Sequence, residues 1–278
     1  MVTVAEIKEL LGEGYEVKEM DVVKNNGLKQ KGISIGKTDE RVRPTIYPNE
    51  DMTAQDVVDA YNNARIDTDA FNTNDLADKD FILTNVRPCL VNRVKNEEKL
   101  AELVHDDYAD DLAIVYRVYV DAFTKKFGGD GTSSYLLRNE LLNSIGVSVD
   151  ELKDRAMQNV NGTCEMIKMS EMLRILGMPV GDEFDTGMYV LSNKSRTNGA
   201  MAIFDKSLMN YATEVLGEEF YVIPSSIHEL IALPMDAVDG GASVLVNMIV
   251  EVNRTELAEQ DILSDNAYVF RNGRLEVA

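Results

Sequence analysis

Apolar positions along the chain switch repeatedly between helical spacing and strand alternation. In "TVAEIKELL" Ile7, Leu10 and Leu11 share a helical face, and Thr3 with Glu6 forms a capping box. "YEVKEMDVVKNNGLKQKGISI" then carries Val17, Met20 and Val22, followed by Leu28, Ile33 and Ile35. These positions predict a hairpin turned at Asn26-Gly27, a dipeptide that accepts positive φ cheaply. "PTIYP" reads as a short edge strand held between Pro44 and Pro48. Thr53 caps a helix over "AQDVVDAYNNAR", with Val57, Val58 and Tyr61 on its buried side. Residues 66–80 are polar and weakly periodic, and read as a connector.

Beyond the connector, "FILTNVRPCLV" and "DLAIVYRVYVDAF" are rich in branched and aromatic residues and predict strands. "FGGDGTSS" (127–134) predicts a loop, "YLLRNELLNSIG" a strand end running into a helix, and Ser148 with Glu151 caps the next helix. "CEMIKMSEMLRILG" has two readings, a strand-to-helix passage or one methionine-rich helix. "MYVLSN", "AMAIFD", "FYVIP" and "ELIALP" predict further strands, and "SLMNYATEVLG" a helix. "GASVLVNMIVEVN" predicts a helix apolar enough to be mostly buried, and the chain ends in a hairpin turned at Asn272-Gly273.

The expected fold class is α+β, with largely antiparallel sheets and packed helices. A weak echo between "YRVYVD…SSYLLRNELLNSIG" and "MYVLSNKSRTNGAMAIFDKSLMNYATEVLG" suggests two similar strand-strand-helix units, although α+β chains repeat that order by chance. Residues 1–65 form an N-terminal helix, hairpin and helix, residues 66–80 a connector, and residues 81–278 a main α+β domain. The two parts are expected to pack as one compact unit.

Composition narrows the class. The 278 residues are 45% hydrophobic and 27% charged, ordinary for a globular protein. No apolar run approaches the roughly 20 residues that span a bilayer. "MVTVAEIKELLGEGYEV" lacks the basic and apolar regions of a secretory signal, so a cytoplasmic location is expected. Cys89 and Cys164 stand far apart, giving neither a disulfide framework nor a metal-ligand spacing. With 48 acidic against 28 basic residues the net charge is −20, which argues against a protein that tracks nucleic-acid phosphates. An acidic surface serves solubility; the sharper alternative is a DNA mimic, against which the acids are spread along the chain.

The densest candidate chemistry is "FYVIPSSIHELIALP". Ser225, Ser226, His228 and Glu229 supply hydroxyls, an imidazole and a carboxylate for nucleophilic catalysis, with Arg254 available to bind an anion. No nucleophile elbow is present, and Ala232 stands where a metalloprotease helix needs its second histidine. The competing reading is structural: Pro224 ends a strand, the serines bond turn amides, and His228 bonds a carbonyl or an acid. "HDDYADDLAIVY" places His105, Asp106, Asp107, Asp110 and Asp111 together, but without the glycine and distal glutamate of a calcium loop, so a solvated loop is expected. No metal and no cofactor are expected.

"MYVLSNKSRTNGAMAIFDKSLMNYATEVLGEEFYVIPSSIHELIALP" and the downstream "EVNRTELAEQDILSDNAYVF" resemble the bacterial domain-of-unknown-function family numbered 5688, most sharply in "YVIPSSIHE" and "EVNRTE". A fainter likeness in element order links the chain to the uncharacterised family numbered 1444. The resemblance implies a shared fold and a bacterial cytoplasmic setting, and transfers no catalytic residue. The expected function is a non-enzymatic binding or regulatory protein with an unidentified protein partner, without direct nucleic-acid or membrane binding. The alternatives are a hydrolase or transferase using residues 225–229, and an acidic DNA-mimic or anti-defence protein.

Overall fold

The computed structural model describes residues 2–38, 40, 43–64, 73–120, 133–178, 180–181 and 186–278. Residues 66–72 of the connector expected over 66–80, and most of the loop expected over 127–134, lie outside these residues; the described end of the connector holds a 3-10 segment (Thr73–Ala77) and the start of a helix at Lys79. All described strand pairings are antiparallel, in three sheets, so the protein is α+β. No helix among the described residues is long and apolar enough to cross a membrane.

The N-terminal part follows the sequence pattern closely. Helix α1 (Val4–Leu11) starts at the Thr3–Glu6 capping box. Strands β1 (Tyr15–Val23) and β2 (Lys29–Lys37) form the hairpin, and β3 (Thr45–Ile46) pairs on the outer side of β2. Helix α2 (Ala54–Ala64) lays Val57, Val58 and Tyr61 on Ile7, Val17, Ile33 and Ile35. Asn26 (φ 59°) and Gly27 (φ 71°) take left-handed backbone at the hairpin tip. This tip reaches away from its own core: Asn26 Nδ2 donates to the carbonyls of Glu259 (2.7 Å) and Ile262 (2.8 Å), and Asn25 Nδ2 to that of Gln260 (2.7 Å).

The remainder is built on two sheets. Helix α3 (Lys79–Asn85) leads into β4 (Val86–Asn92); the short helix α4 (Glu97–Leu100), β5 (His105–Tyr108), β6 (Leu112–Tyr119) and β7 (Ser134–Leu136) follow. In this sheet β6 pairs with β4, β5 and β7. Helices α5 (Asn139–Ile145) and α6 (Val149–Val160) precede β8 (Cys164–Lys168), α7 (Met169–Ile175) and β9 (Tyr189–Asn193). Helix α8 (Lys206–Leu216), β10 (Phe220–Ser226), β11 (Glu229–Pro234), α9 (Ala242–Thr255), β12 (Tyr268–Arg271) and β13 (Arg274–Val277) complete the chain. The larger sheet runs β13-β12-β10-β11-β9-β8. Alternation along β10 sends Phe220 and Val222 into the core shared by the two sheets, and Tyr221 and Ile223 into a second layer under α9.

Four readings change. Residues 81–85 extend a helix rather than β4, because the Asp78 carboxylate caps the Phe81 amide and starts α3 before the strand. His105–Tyr108 is a strand, held in register with β6, where a loop was expected. "AMAIF" is not a strand. Gly199–Phe204 forms a buried 3-10 segment packed against β4, β9 and β11, so the echoed second unit lacks its second strand. Helix α9 is not mostly buried: Leu245 and Ile249 pack inward while Val244, Met248, Val250 and Val252 are exposed, since the helix covers the sheet from one side only. "CEMIKMSEMLRILG" takes the strand-to-helix path, as β8 and α7.

Candidate functional site at the 225–229 turn

The β10–β11 ladder runs in register from Phe220↔Pro234 to Ile223↔Ile231, slips, and closes at Ser226↔Glu229. The slip absorbs Pro224, which lacks an amide to donate to the ladder, and Ser225. Ile227 and His228 are thereby the turn itself. Its main chain is fixed on both sides: the Ile227 amide donates to the Asp261 carbonyl (2.9 Å), and the Ile227 carbonyl accepts from Ala200 (3.2 Å). The His228 carbonyl accepts from Ser192 Oγ (2.8 Å).

The two serine hydroxyls and the imidazole have separate partners. Buried Ser226 accepts the His228 backbone amide on its hydroxyl oxygen (3.0 Å), a local turn bond. Ser225 Oγ donates to Glu229 Oε1 (3.3 Å). The half-buried His228 ring accepts the Asn198 amide at Nδ1 (3.1 Å), which puts the proton of the neutral imidazole on Nε2, 3.4 Å from Asp261 Oδ1. Among the described residues no hydrogen bond joins either serine hydroxyl to the imidazole. Arg254 lies exposed on the last turn of α9, and among the described residues no hydrogen bond or ion pair connects it with residues 225–229.

The loop against the turn is tightly constrained. Arg196 (φ 52°) and Asn198 (φ 53°) hold left-handed backbone, which for arginine is uncommon and must be enforced by the surroundings. Asn193 Nδ2 donates to the Thr197 carbonyl (2.8 Å), and Arg196 Nη2 meets Glu165 Oε1 (2.8 Å). Gly199 is buried so closely that a Cβ there would sit 2.0 Å from Ser192 Oγ and 2.3 Å from the His228 carbonyl oxygen. Asp261, Asn198 and Ser192 were missed in the sequence. Only Asn198-Gly199 carried a local signal, a turn dipeptide; the other two arrive by tertiary packing.

The second cluster disperses. The Asp106 carboxylate accepts from Tyr116 OH (2.8 Å) and pairs with Lys153; burial first, and this carboxylate next, push the Tyr116 hydroxyl well above its ordinary pKa. Asp111 accepts from Ser264 Oγ (2.7 Å) and Tyr268 OH, His105 Nδ1 faces the Leu103 carbonyl (2.9 Å), and the Asp110 carbonyl takes the Arg93 guanidinium. Among the described residues, no three or more His, Cys, Asp or Glu side chains gather where they could hold a metal ion.

The model of a family of unknown function, DUF5688, matches residues 2–272. The chain belongs to this family. The match runs through the N-terminal hairpin, most of both larger sheets and the 225–229 turn, and stops before β13. Comparison with curated proteins and with solved structures gave no match.

Proposed function

We propose that this DUF5688 member is a non-enzymatic binding or regulatory protein of the bacterial cytoplasm, and that the 225–229 turn is a structural junction within it. The observation carrying this reading is the occupancy of the His228 ring. A general base must present a free nitrogen to its nucleophile. Here Nδ1 already accepts the Asn198 amide and Nε2 faces Asp261, while Ser226 is bonded to the main chain. The hydroxyls and the imidazole stabilise three chain segments that converge at one point. We also propose that residues 1–65 and 81–278 act as one compact unit, through the hydrogen bonds of the Asn25–Asn26 tip.

Treatment with a fluorophosphonate probe tests the first reading, because an activated serine is phosphonylated stoichiometrically. The expected result is no labelling of Ser225 or Ser226. Stoichiometric labelling that His228→Ala abolishes would establish the hydrolase or transferase alternative instead.

A further inference from the structure

Arg87 on β4 and Arg117 on β6 are directly opposite each other in the antiparallel register. Side chains so placed have Cβ atoms about 4.5–5.5 Å apart, and like charges there are destabilising. Six other arginines of this acidic chain, Arg43, Arg93, Arg138, Arg196, Arg271 and Arg274, each form an ion pair, while the exposed Arg155 and Arg254 form none among the described residues. Neither Arg87 nor Arg117 pairs with a carboxylate among the described residues. Arg87 stacks over the Tyr119 ring (5.0 Å to the centroid), and its Nε is buried without a hydrogen-bond partner. Arg117 Nη1 donates to Ser134 Oγ (3.0 Å) on β7. Both arginines remain half-buried rather than sealed.

Positive charge extends beyond the pair. Burial lowers the pKa of the half-buried Lys99 and Arg117 lowers it next, so these two cations feel one another; Arg138 and Lys24 add to the effect, Arg138 while paired with Glu102. The Arg87–Tyr119 contact and the Arg117–Ser134 bond give each guanidinium group one neighbour that orients it. Two planar forks on directly opposed residues, one of them bonded to a hydroxyl of the next strand, suit a tetrahedral oxyanion. Their two charges balance the roughly −1.5 to −2 of a phosphate monoester at neutral pH. A phosphodiester polymer would instead meet the repulsion of a −20 protein.

We propose that the end of the β4–β6–β7 sheet around Arg87, Arg117 and Ser134 is a binding site for a phosphate group, either free phosphate or a small phosphate monoester. It lies on different elements from the 225–229 turn, and its failure would leave the reading of that turn untouched.

Thermal denaturation of the full chain, with inorganic phosphate or phenyl phosphate replacing chloride at constant ionic strength, tests the site. The parent is expected to show a saturable rise in Tm. Arg87→Gln and Arg117→Gln should lose that rise, and Arg117→Lys should keep part of it. Any general stabilisation by phosphate raises all the proteins alike. In chloride alone each glutamine substitution should leave Tm at or above that of the parent, since it removes a like-charge pair. The larger rise with phenyl phosphate identifies a monoester, and with phosphate the free ion. The proposal is overturned if neither probe raises the Tm of the parent more than it raises the Tm of Arg87→Gln and Arg117→Gln. It is equally overturned if both glutamine substitutions lower Tm well below the parent in chloride, which would mean the chain itself already satisfies both cations.

Discussion

Asn26 and Asn96 clasp each other: the Asn26 amide donates to Asn96 Oδ1 (2.9 Å), and Asn96 Nδ2 donates to Asn26 Oδ1 (3.0 Å). Asn96 also donates to the Asn92 carbonyl (2.8 Å), so a polar stitch runs from the β1–β2 tip to the end of β4. Both asparagines are buried. A buried network of this kind is stabilising only while every member is bonded.

Asn26→Gly isolates the side chain, because glycine accepts the left-handed backbone at this position freely. The Glu259 and Ile262 carbonyls lose this donor, and Asn96 Nδ2 keeps only the Asn92 carbonyl. A stability loss of about 2–3 kcal/mol is expected in urea unfolding. Hydrogen exchange should show residues 2–64 opening more readily than the two large sheets. Exchange unchanged in those residues would rule out the clamp.

Asp205 supports a second junction. Its fully buried carboxylate accepts the Thr163 and Cys164 amides at Oδ2 (3.0 Å each) and the Leu208 amide at Oδ1 (3.1 Å), capping α8 while fixing the start of β8. Asp205→Ala takes this acceptor from the Cys164 and Leu208 amides and leaves the Thr163 amide only the Val160 carbonyl, and should cost about 3 kcal/mol. Asp205→Asn should also destabilise, since its NH2 group would face amide donors. Parental stability in Asp205→Ala would contradict this role.

The thiols and tyrosines give a pH prediction. Burial pushes Cys164 from 9.0 to about 12 and raises Cys89; Tyr135 is pushed from 10.0 to about 12, again by burial. The folded state thus prefers the neutral forms. Their contribution to stability is complete below pH 9.0 and declines from there toward pH 12, as the unfolded chain ionises first. Tm should fall across that window. At pH 8 a disulfide reagent should modify the native thiols at least roughly ten-fold more slowly than the denatured ones. Equal rates would show the thiols to be accessible and unperturbed.

The parts legible in the sequence are those set by local chemistry. Thr3–Glu6, Ser148, Asn26-Gly27 and Asn272-Gly273 specify caps and turns over a few residues, and each stands where the pattern places it. "AMAIF" shows the limit. Its apolar run has no period that separates a strand from a buried turn, and packing between two sheets decides in favour of the 3-10 form. Helix α9 fails differently: its hydrophobicity is real, but the sheet offers contact to one face. At the site, Ser225, Ser226, His228 and Glu229 cluster as their adjacency demands. Their partners Asp261, Asn198 and Ser192 depend on the tertiary fold, which no local spacing encodes.

The role of His228 can be separated from catalysis without a substrate. As a junction residue its ring bonds the Asn198 amide and faces Asp261, so His228→Ala leaves that half-buried amide and carboxylate without it. A loss of about 1–3 kcal/mol is expected. His228→Asn can place an amide oxygen near the position of Nδ1, and should recover part of the loss. Ser226→Ala deletes one bond to the His228 amide and should cost less, about 0.5–1.5 kcal/mol. Gly199→Ala reports on the same junction from below: its Cβ would drive into Ser192 Oγ and the His228 carbonyl, displacing the turn, and should be the most damaging of the four. Residues serving catalysis are commonly held at some cost to the fold, and removing one then leaves Tm unchanged or raised. Melting curves of the four substituted proteins beside the parent decide the matter. A neutral or stabilising His228→Ala, with the fold intact, would overturn the structural role and return the 225–229 turn to the chemistry of its side chains.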